Sequence, residues 1–225
     1  CQADHFSEQG AEFFMYIAIE GVIGVGKTTL ARMLQPALDA GLLLEVFEEN
    51  PFLSNFYGNR QQYAFQTQMF FLLSRYRQQN QRVPELLAEH HNLISDYTFD
   101  KDPLFARINL QGDELDMYYR IHEALAEKIA PPNLTLYLRA TTDTLMQRIT
   151  MRDRSYEHTM ERNYIADLNQ AYDDYFLNQA DKDKVLILDC DDIDFVQNDI
   201  QLKWIENRIR QALKMPPYQP DLLNP

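Results

Sequence analysis

Short apolar runs alternate along this chain with longer stretches of helical periodicity. The runs are Phe14-Met15-Tyr16-Ile17-Ala18-Ile19-Glu20, Leu42-Leu43-Leu44-Glu45-Val46, Asn92-Leu93-Ile94-Ser95-Asp96, Leu134-Thr135-Leu136-Tyr137-Leu138 and Val185-Leu186-Ile187-Leu188-Asp189. Each is short enough for a buried strand, and the segments between them read as helices over 28–40, 61–81, 114–129, 142–151, 164–176 and 195–213. Thr141 or Thr142 is a suitable N-cap for the fourth of these. Strands alternating with helices predict an α/β fold: a five-stranded parallel sheet with helices on both faces. In such sheets ligands sit beyond the carboxyl ends of the strands. Those ends carry Glu20, Glu45, Asp96, Arg139 and Asp189.

The 225 residues suffice for one domain with a full core, and no repeat or linker divides them. The expected domain spans 14–214. Residues 1–13 are polar and read as a mobile leader; an anchored N-terminal Cys1 is the alternative. The tail 215–225 holds four of the ten prolines and should not be helical. A net charge of −13 argues against a nucleic-acid partner, because phosphate backbones demand basic surface. No stretch approaches the length of a membrane span. Two cysteines make no disulfide framework, so a reducing, cytoplasmic setting is expected.

The loop after the first strand carries the chemistry. Gly21-Val22-Ile23-Gly24-Val25-Gly26-Lys27-Thr28 fits G-x-x-x-x-G-K-[ST] at every fixed position, with Thr29 next. A strand, a glycine loop and a helix N-terminus aim backbone N–H groups and a positive dipole end at a polyphosphate. ATP is the expected nucleotide, with Lys27 on its β/γ-phosphates and the Thr28 hydroxyl on Mg²⁺. Asp96 is positioned to hold Mg²⁺ or its water. Glu45 is placed to orient an attacking hydroxyl and accept its proton, with Glu48 and Glu49 as rivals.

Two further segments qualify that picture. The stretch around Met69–Leu73 is apolar nearly all round, which predicts a buried helix. Gln68 and Arg75 share one face of it with Phe71 and Leu72 between them, a setting that suits a planar heterocycle. Arg148, Arg152 and Arg154 concentrate positive charge in an acidic chain, as a lid over a transferring phosphoryl group would.

Taken together, Glu45-x-x-Glu48-Glu49-Asn50-Pro51-Phe52, Tyr57, the Gln68…Ser74-Arg75 helix and Leu138-Arg139-Ala140-Thr141…Arg152-Asp153-Arg154 resemble the deoxyribonucleoside kinases, especially the bacterial deoxyadenosine/deoxyguanosine type. The resemblance covers about residues 14–213 and implies a P-loop kinase fold with an arginine-rich lid. It implies transfer of the ATP γ-phosphoryl group to the 5′-hydroxyl of a deoxyribonucleoside, most simply a purine one, in nucleotide salvage. Glu45 would then accept the hydroxyl proton, with Arg152 and Arg154 acting from the lid. Tyr57 and Glu157 would hold the 3′-hydroxyl, and Gln68 the base, with Gln66 as second choice. Arg75 and Asp102 would form a pair near the base. Arg148, Asp191 and Asp192 would lie at the ATP site. A homodimer is usual in the family, and the apolar faces of 61–81 and 114–129 would permit one.

Two departures stand out. Tyr97 follows Asp96 where the family carries arginine, so a lid arginine must cover that role or the reaction is weaker. Asp153 replaces a lid glycine and is expected to stiffen the lid. A nucleoside monophosphate kinase of the thymidylate type and a non-catalytic nucleotide-binding subunit remain as alternatives.

Overall fold

The computed structural model describes residues 15–178 and 182–215. The expected leader 1–13, Phe14 and the proline-rich tail after Met215 lie outside those residues. Five strands form one all-parallel sheet in the order β2-β3-β1-β4-β5: β1 Met15–Glu20, β2 Ala40–Leu43, β3 Asn92–Ser95, β4 Leu134–Arg139 and β5 Val185–Asp189. Registers are regular, with Ile17 opposite both Ile94 and Leu134. All six residues of β1 are buried, as a central parallel strand covered on both faces requires. Among the described residues no helix is long and apolar enough to cross a membrane.

Eight α-helices surround the sheet among the described residues: α1 Lys27–Leu38, α2 Leu53–Gly58, α3 Arg60–His90, α4 Lys101–Asn109, α5 Gly112–Ala126, α6 Thr142–Arg152, α7 Arg162–Asn178 and α8 Asp199–Ala212. Thr141 caps α6 as expected, its hydroxyl accepting from the Thr144 N–H. Several expected boundaries need correction. The first helix ends at Leu38 because Asp39 adopts φ +45, and Ala40 already begins β2. That strand stops at Leu43 rather than Val46, since the Glu45 N–H turns to the Asp96 carboxylate instead of a ladder partner. Helix α3 passes through Pro84 and ends only at His90, where His91 turns to φ +61. Helix α8 starts at Asp199, where the Asn198 side chain accepts from the N–H groups of Ile200 and Gln201. Phe195, expected in that helix, packs on the phosphate loop at Gly26.

The apolar run Met69–Leu73 is not buried all round. Leu72 enters the core, whereas Leu73 is half exposed beside Phe70 and Val46. Met117 on α5 is exposed to a similar degree. Apolar side chains continue round α3 onto a face that leaves Leu73 half exposed among the described residues.

Candidate active site

The carboxyl ends of β1 and β3 open into a cleft of about 850 Å³, counting its mouth. One wall is the glycine loop, and Ile23, Gly24, Lys27 and Thr28 line it. Gly21 sits at φ +145, and any side chain there would collide with the Leu138 carbonyl. Gly26 adopts φ +108, a left-handed turn into α1 that glycine takes without strain. Val22 and Val25 anchor the loop in the core, while Thr28 and Thr29 are exposed on the first turn of α1. Beneath the loop, fully buried Glu20 accepts from the Gly21 N–H at 3.2 Å, from Thr98 N–H and hydroxyl at 2.5 and 2.9 Å, and from the Tyr172 hydroxyl at 3.2 Å. Burial raises its carboxyl pKa, opposed by Lys101 and Lys27. Its role is to fix the loop.

Lys27 folds back, donating to the carbonyls of Gly21 at 2.6 Å and Val22 at 3.2 Å. Burial first, then repulsion from Lys101, lower its ammonium pKa to about 8 against the pull of Glu20, Glu45 and Asp96. Asp96 accepts the Thr28 hydroxyl at 2.5 Å on one oxygen and the Glu45 N–H at 2.8 Å on the other. Thr28 and Asp96 therefore present two hard oxygen donors side by side. Mg²⁺ is ordinarily held by just such a sparse protein set, with phosphates and water completing the octahedron. The residues fit the ion. Among the described residues no group of three or more acidic, His or Cys side chains forms a denser metal site.

Glu45 lines the same cleft as the glycine loop, its side chain 15% exposed. Its Oε1 accepts from Arg75 Nε at 2.8 Å and Nη2 at 2.5 Å, and Oε2 accepts from Lys101 Nζ at 2.5 Å. Burial alone would raise the Glu45 pKa. The Arg75 and Lys101 charges outweigh it and hold the carboxyl well below the usual range. Arg75 Nη1 reaches back to Asp102, which is fully buried behind it. Two carboxylates and two cations thus balance one another. The guanidinium also lies 4.6 Å over the Phe71 ring. Arg75, expected near the base with Asp102, here also clamps the candidate base Glu45. Of the rivals, Glu49 is exposed and lines a separate concavity; the Glu48 side chain is outside the described residues.

The far end of the cleft is aromatic. Phe47, Phe56, Tyr57, Phe71, Phe105, Tyr156, Tyr164 and Tyr172 line it, together with Gln68. Gln68 is buried with its Oε1 unpartnered, whereas Gln66 is exposed and drops out. Leu72, paired with Phe71 in the sequence reading, belongs to the core instead. Tyr57 stacks on Tyr156 at 6.3 Å beside the buried Glu157.

The arginines are already engaged. Arg152 Nε donates to Glu157 at 2.8 Å and its Nη2 reaches the same carboxylate. Arg154 stands 3.9 Å from Glu157 and 4.4 Å over Phe47. Both line the cleft. Arg148 bridges the carbonyls of Val25 at 3.1 Å and Cys190 at 2.7 Å, joining the glycine loop to the loop after β5. There Asp191 accepts from the Thr141 N–H at 2.9 Å, and Asp192 is exposed. Asp153 does adopt a left-handed conformation, φ +50, which glycine would take more easily.

Tyr97 is fully buried and its hydroxyl donates to Gln78 at 2.6 Å. It makes no approach to the phosphate side. Sequence reasoning passed over Lys101, which lines the cleft beside Glu45. The signal was a lone lysine between Asp100 and Asp102, five residues beyond the β3 acid, and nothing in its spacing set it apart.

The profile of the deoxynucleoside kinase family matches residues 17–214. A deoxyguanosine kinase of Bacillus subtilis (strain 168) is 35% identical over 201 residues, covering 88% of this chain and 97% of that enzyme. A deoxyadenosine kinase of Dictyostelium discoideum is 30% identical, over 71% of this chain and 66% of its own. In three dimensions the chain is similar to a deoxyadenosine kinase from M. mycoides solved with dCMP and a flexible dCDP. The TM-score is 0.75 at 25% identity, over 88% of this chain and 99% of that one. A second structure of that enzyme holds dATP.

Proposed function

The chain belongs to the deoxynucleoside kinase family, and on that premise we propose that it transfers the ATP γ-phosphoryl group to the 5′-hydroxyl of a purine deoxyribonucleoside. The observation that carries this reading is the shared cleft: Lys27, Thr28, Glu45, a set of aromatic side chains and the amide of Gln68 all line it. The named activities of its relatives, on deoxyguanosine and deoxyadenosine, favour a purine. Such a chamber gives a flat base ring faces to stack on and one amide edge to pair with.

In the reaction Lys27 leaves the Gly21 and Val22 carbonyls for the phosphates, joined by the amides of the loop. Thr28 and Asp96 would hold Mg²⁺, which offsets phosphate charge when bound. Glu45 receives the 5′-hydroxyl on Oε2 and aligns its oxygen with phosphorus. As the new O–P bond forms and the bond to the ADP oxygen breaks, the hydroxyl proton passes to Glu45. A carboxylate held this acidic orients early and takes the proton late. Tyr57 and Glu157 take the sugar's 3′-hydroxyl, and Arg152 and Arg154 close over the phosphoryl group and exclude water. Arg148, Asp191 and Asp192 border the adenine of ATP. Exposed Leu73 and Met117 support a homodimer through α3 and α5, and the buried free thiol of Cys190 suits the cytoplasm.

The test is ADP release with ATP and Mg²⁺, using the four deoxynucleosides and their 5′-monophosphates as acceptors. Turnover should require a purine deoxynucleoside and yield its 5′-monophosphate. Preference for a monophosphate acceptor would assign the chain to nucleotide kinases instead, and absence of any nucleoside-dependent ADP would leave a binding subunit.

A further inference from the structure

Lys101 occupies the first turn of α4, with a side chain only 4% exposed. Its one hydrogen bond among the described residues goes to Glu45 Oε2 at 2.5 Å, and its Nζ lies 5.4 Å from the centre of the Tyr97 ring. An ammonium has three N–H donors, so hydrogen-bonding capacity remains on the side that lines the cleft. Keeping a cation this dry is costly unless something needs the charge there.

The geometry of Glu45 shows what that is. Arg75 places two donors on Oε1, which fills both lone pairs of that oxygen. Lys101 takes one lone pair of Oε2 and leaves the other open. A hydroxyl that donates to Glu45 must therefore use the oxygen Lys101 already holds. Two groups bonded to one oxygen lie about 4–5 Å apart, so the ammonium sits beside the nucleophile. Lys27 lines the same cleft from the glycine loop. Resting on the kinase reading above, we propose that Lys101 is a catalytic cation. It stands beside the attacking 5′-oxygen and contacts the phosphoryl group in transfer from the acceptor side, while Lys27 holds the phosphates from the glycine loop. The O–P bond forms and the P–O bond to ADP breaks between the two ammonium groups, while the proton goes to Glu45. Charge that develops on the equatorial oxygens meets a fixed donor that needs no reorganisation.

The rival role is structural, in which Lys101 merely neutralises Glu45. Lys101→Gln separates the two, because the amide keeps a donor for Glu45 Oε2 and removes the charge. We expect kcat to fall about a hundredfold, with the KM values for nucleoside and ATP within about threefold. Lys101→Arg should recover at least about a tenth of wild-type kcat. In a Glu45→Gln background, where residue 45 carries no charge for Lys101 to neutralise, Lys101→Gln should still cost about tenfold or more. Turnover within about threefold of wild type, a change confined to KM, or a penalty that vanishes in the Glu45→Gln background would overturn the proposal. Wild-type protein in the same assay keeps the two readings apart. If it lacks nucleoside-dependent ADP release, the kinase reading fails, whereas an active wild type with an unaffected Lys101→Gln variant sinks only the role of Lys101.

Discussion

Arg75 grips Glu45 through a single oxygen: its Nε and Nη2 both end on Oε1, at 2.8 and 2.5 Å. The rest of the site follows from that asymmetry. Oε1 is saturated, whereas Oε2 accepts from Lys101 alone among the described residues, so the carboxylate can take a further donor in only one direction. Asp102 holds Arg75 from behind, and Asp96 holds the Glu45 backbone and Thr28 together. The acceptor and donor halves of the cleft are thereby built on one hydrogen-bonded unit.

Gln68 has a buried Oε1 without a partner in the unliganded chain. Gln68→Leu should therefore stabilise the free protein by about 1 kcal/mol, since a buried unsatisfied acceptor is removed. The same change should raise the nucleoside KM about tenfold or more and leave the ATP KM within about threefold. Denaturant unfolding without ligand, together with steady-state kinetics, reads both. A loss of stability with equal rises in the two KM values would make Gln68 a structural residue.

Lys27, with a pKa lowered to about 8 from 10.5, is charged below that value and neutral above it in the unliganded protein. ATP needs the ammonium form, so its Kd should rise about tenfold from about pH 7 to about pH 9. In the same window, up to about 10.5, the unfolded chain binds more protons than the folded one. This group therefore adds stability to the unliganded chain as pH rises. Calorimetric titration of ATP without Mg²⁺ tests the first statement. Lys27→Arg should flatten the profile; a wild-type Kd independent of pH would contradict the account.

Cys190 is fully buried beside Arg148, its thiol pushed up to about 11 chiefly by burial, with the Arg148 charge pulling the other way. It should resist alkylation by iodoacetamide at about pH 8 in the folded protein and react on unfolding. Mass spectrometry of native and denatured samples distinguishes the two. Rapid native labelling of Cys190 would mean that the loop after β5 opens readily.

Much of this architecture was legible in the sequence because burial writes itself into composition. Central strands such as Tyr16–Ile19 and Leu134–Leu138 are apolar on both faces, and the glycine loop has few other uses. What stayed hidden was settled by side chains distant in sequence. Strand β2 ends early because Asp96 captures the Glu45 amide. Helices α2 and α4 are short and polar enough to show no apolar period, yet they carry Phe56, Tyr57 and Lys101 into the cleft. The exposure of Leu73 could not be told from burial, because an uncovered apolar face has the same composition as a covered one. Motif and spacing singled out Glu45, Gln68 and the lid arginines, and the resemblance paired Arg75 with Asp102, but the contacts of Arg75 and Lys101 with Glu45 and of Arg152 with Glu157 stayed hidden.

The central claim is that Glu45 handles the acceptor hydroxyl, and it is tested most directly by kcat and nucleoside Kd of Glu45→Gln, measured on protein confirmed folded by its melting transition. That variant should show a kcat lower by about a hundredfold or more, with ATP binding retained and nucleoside Kd within about threefold. Near-full turnover in that variant would contradict it.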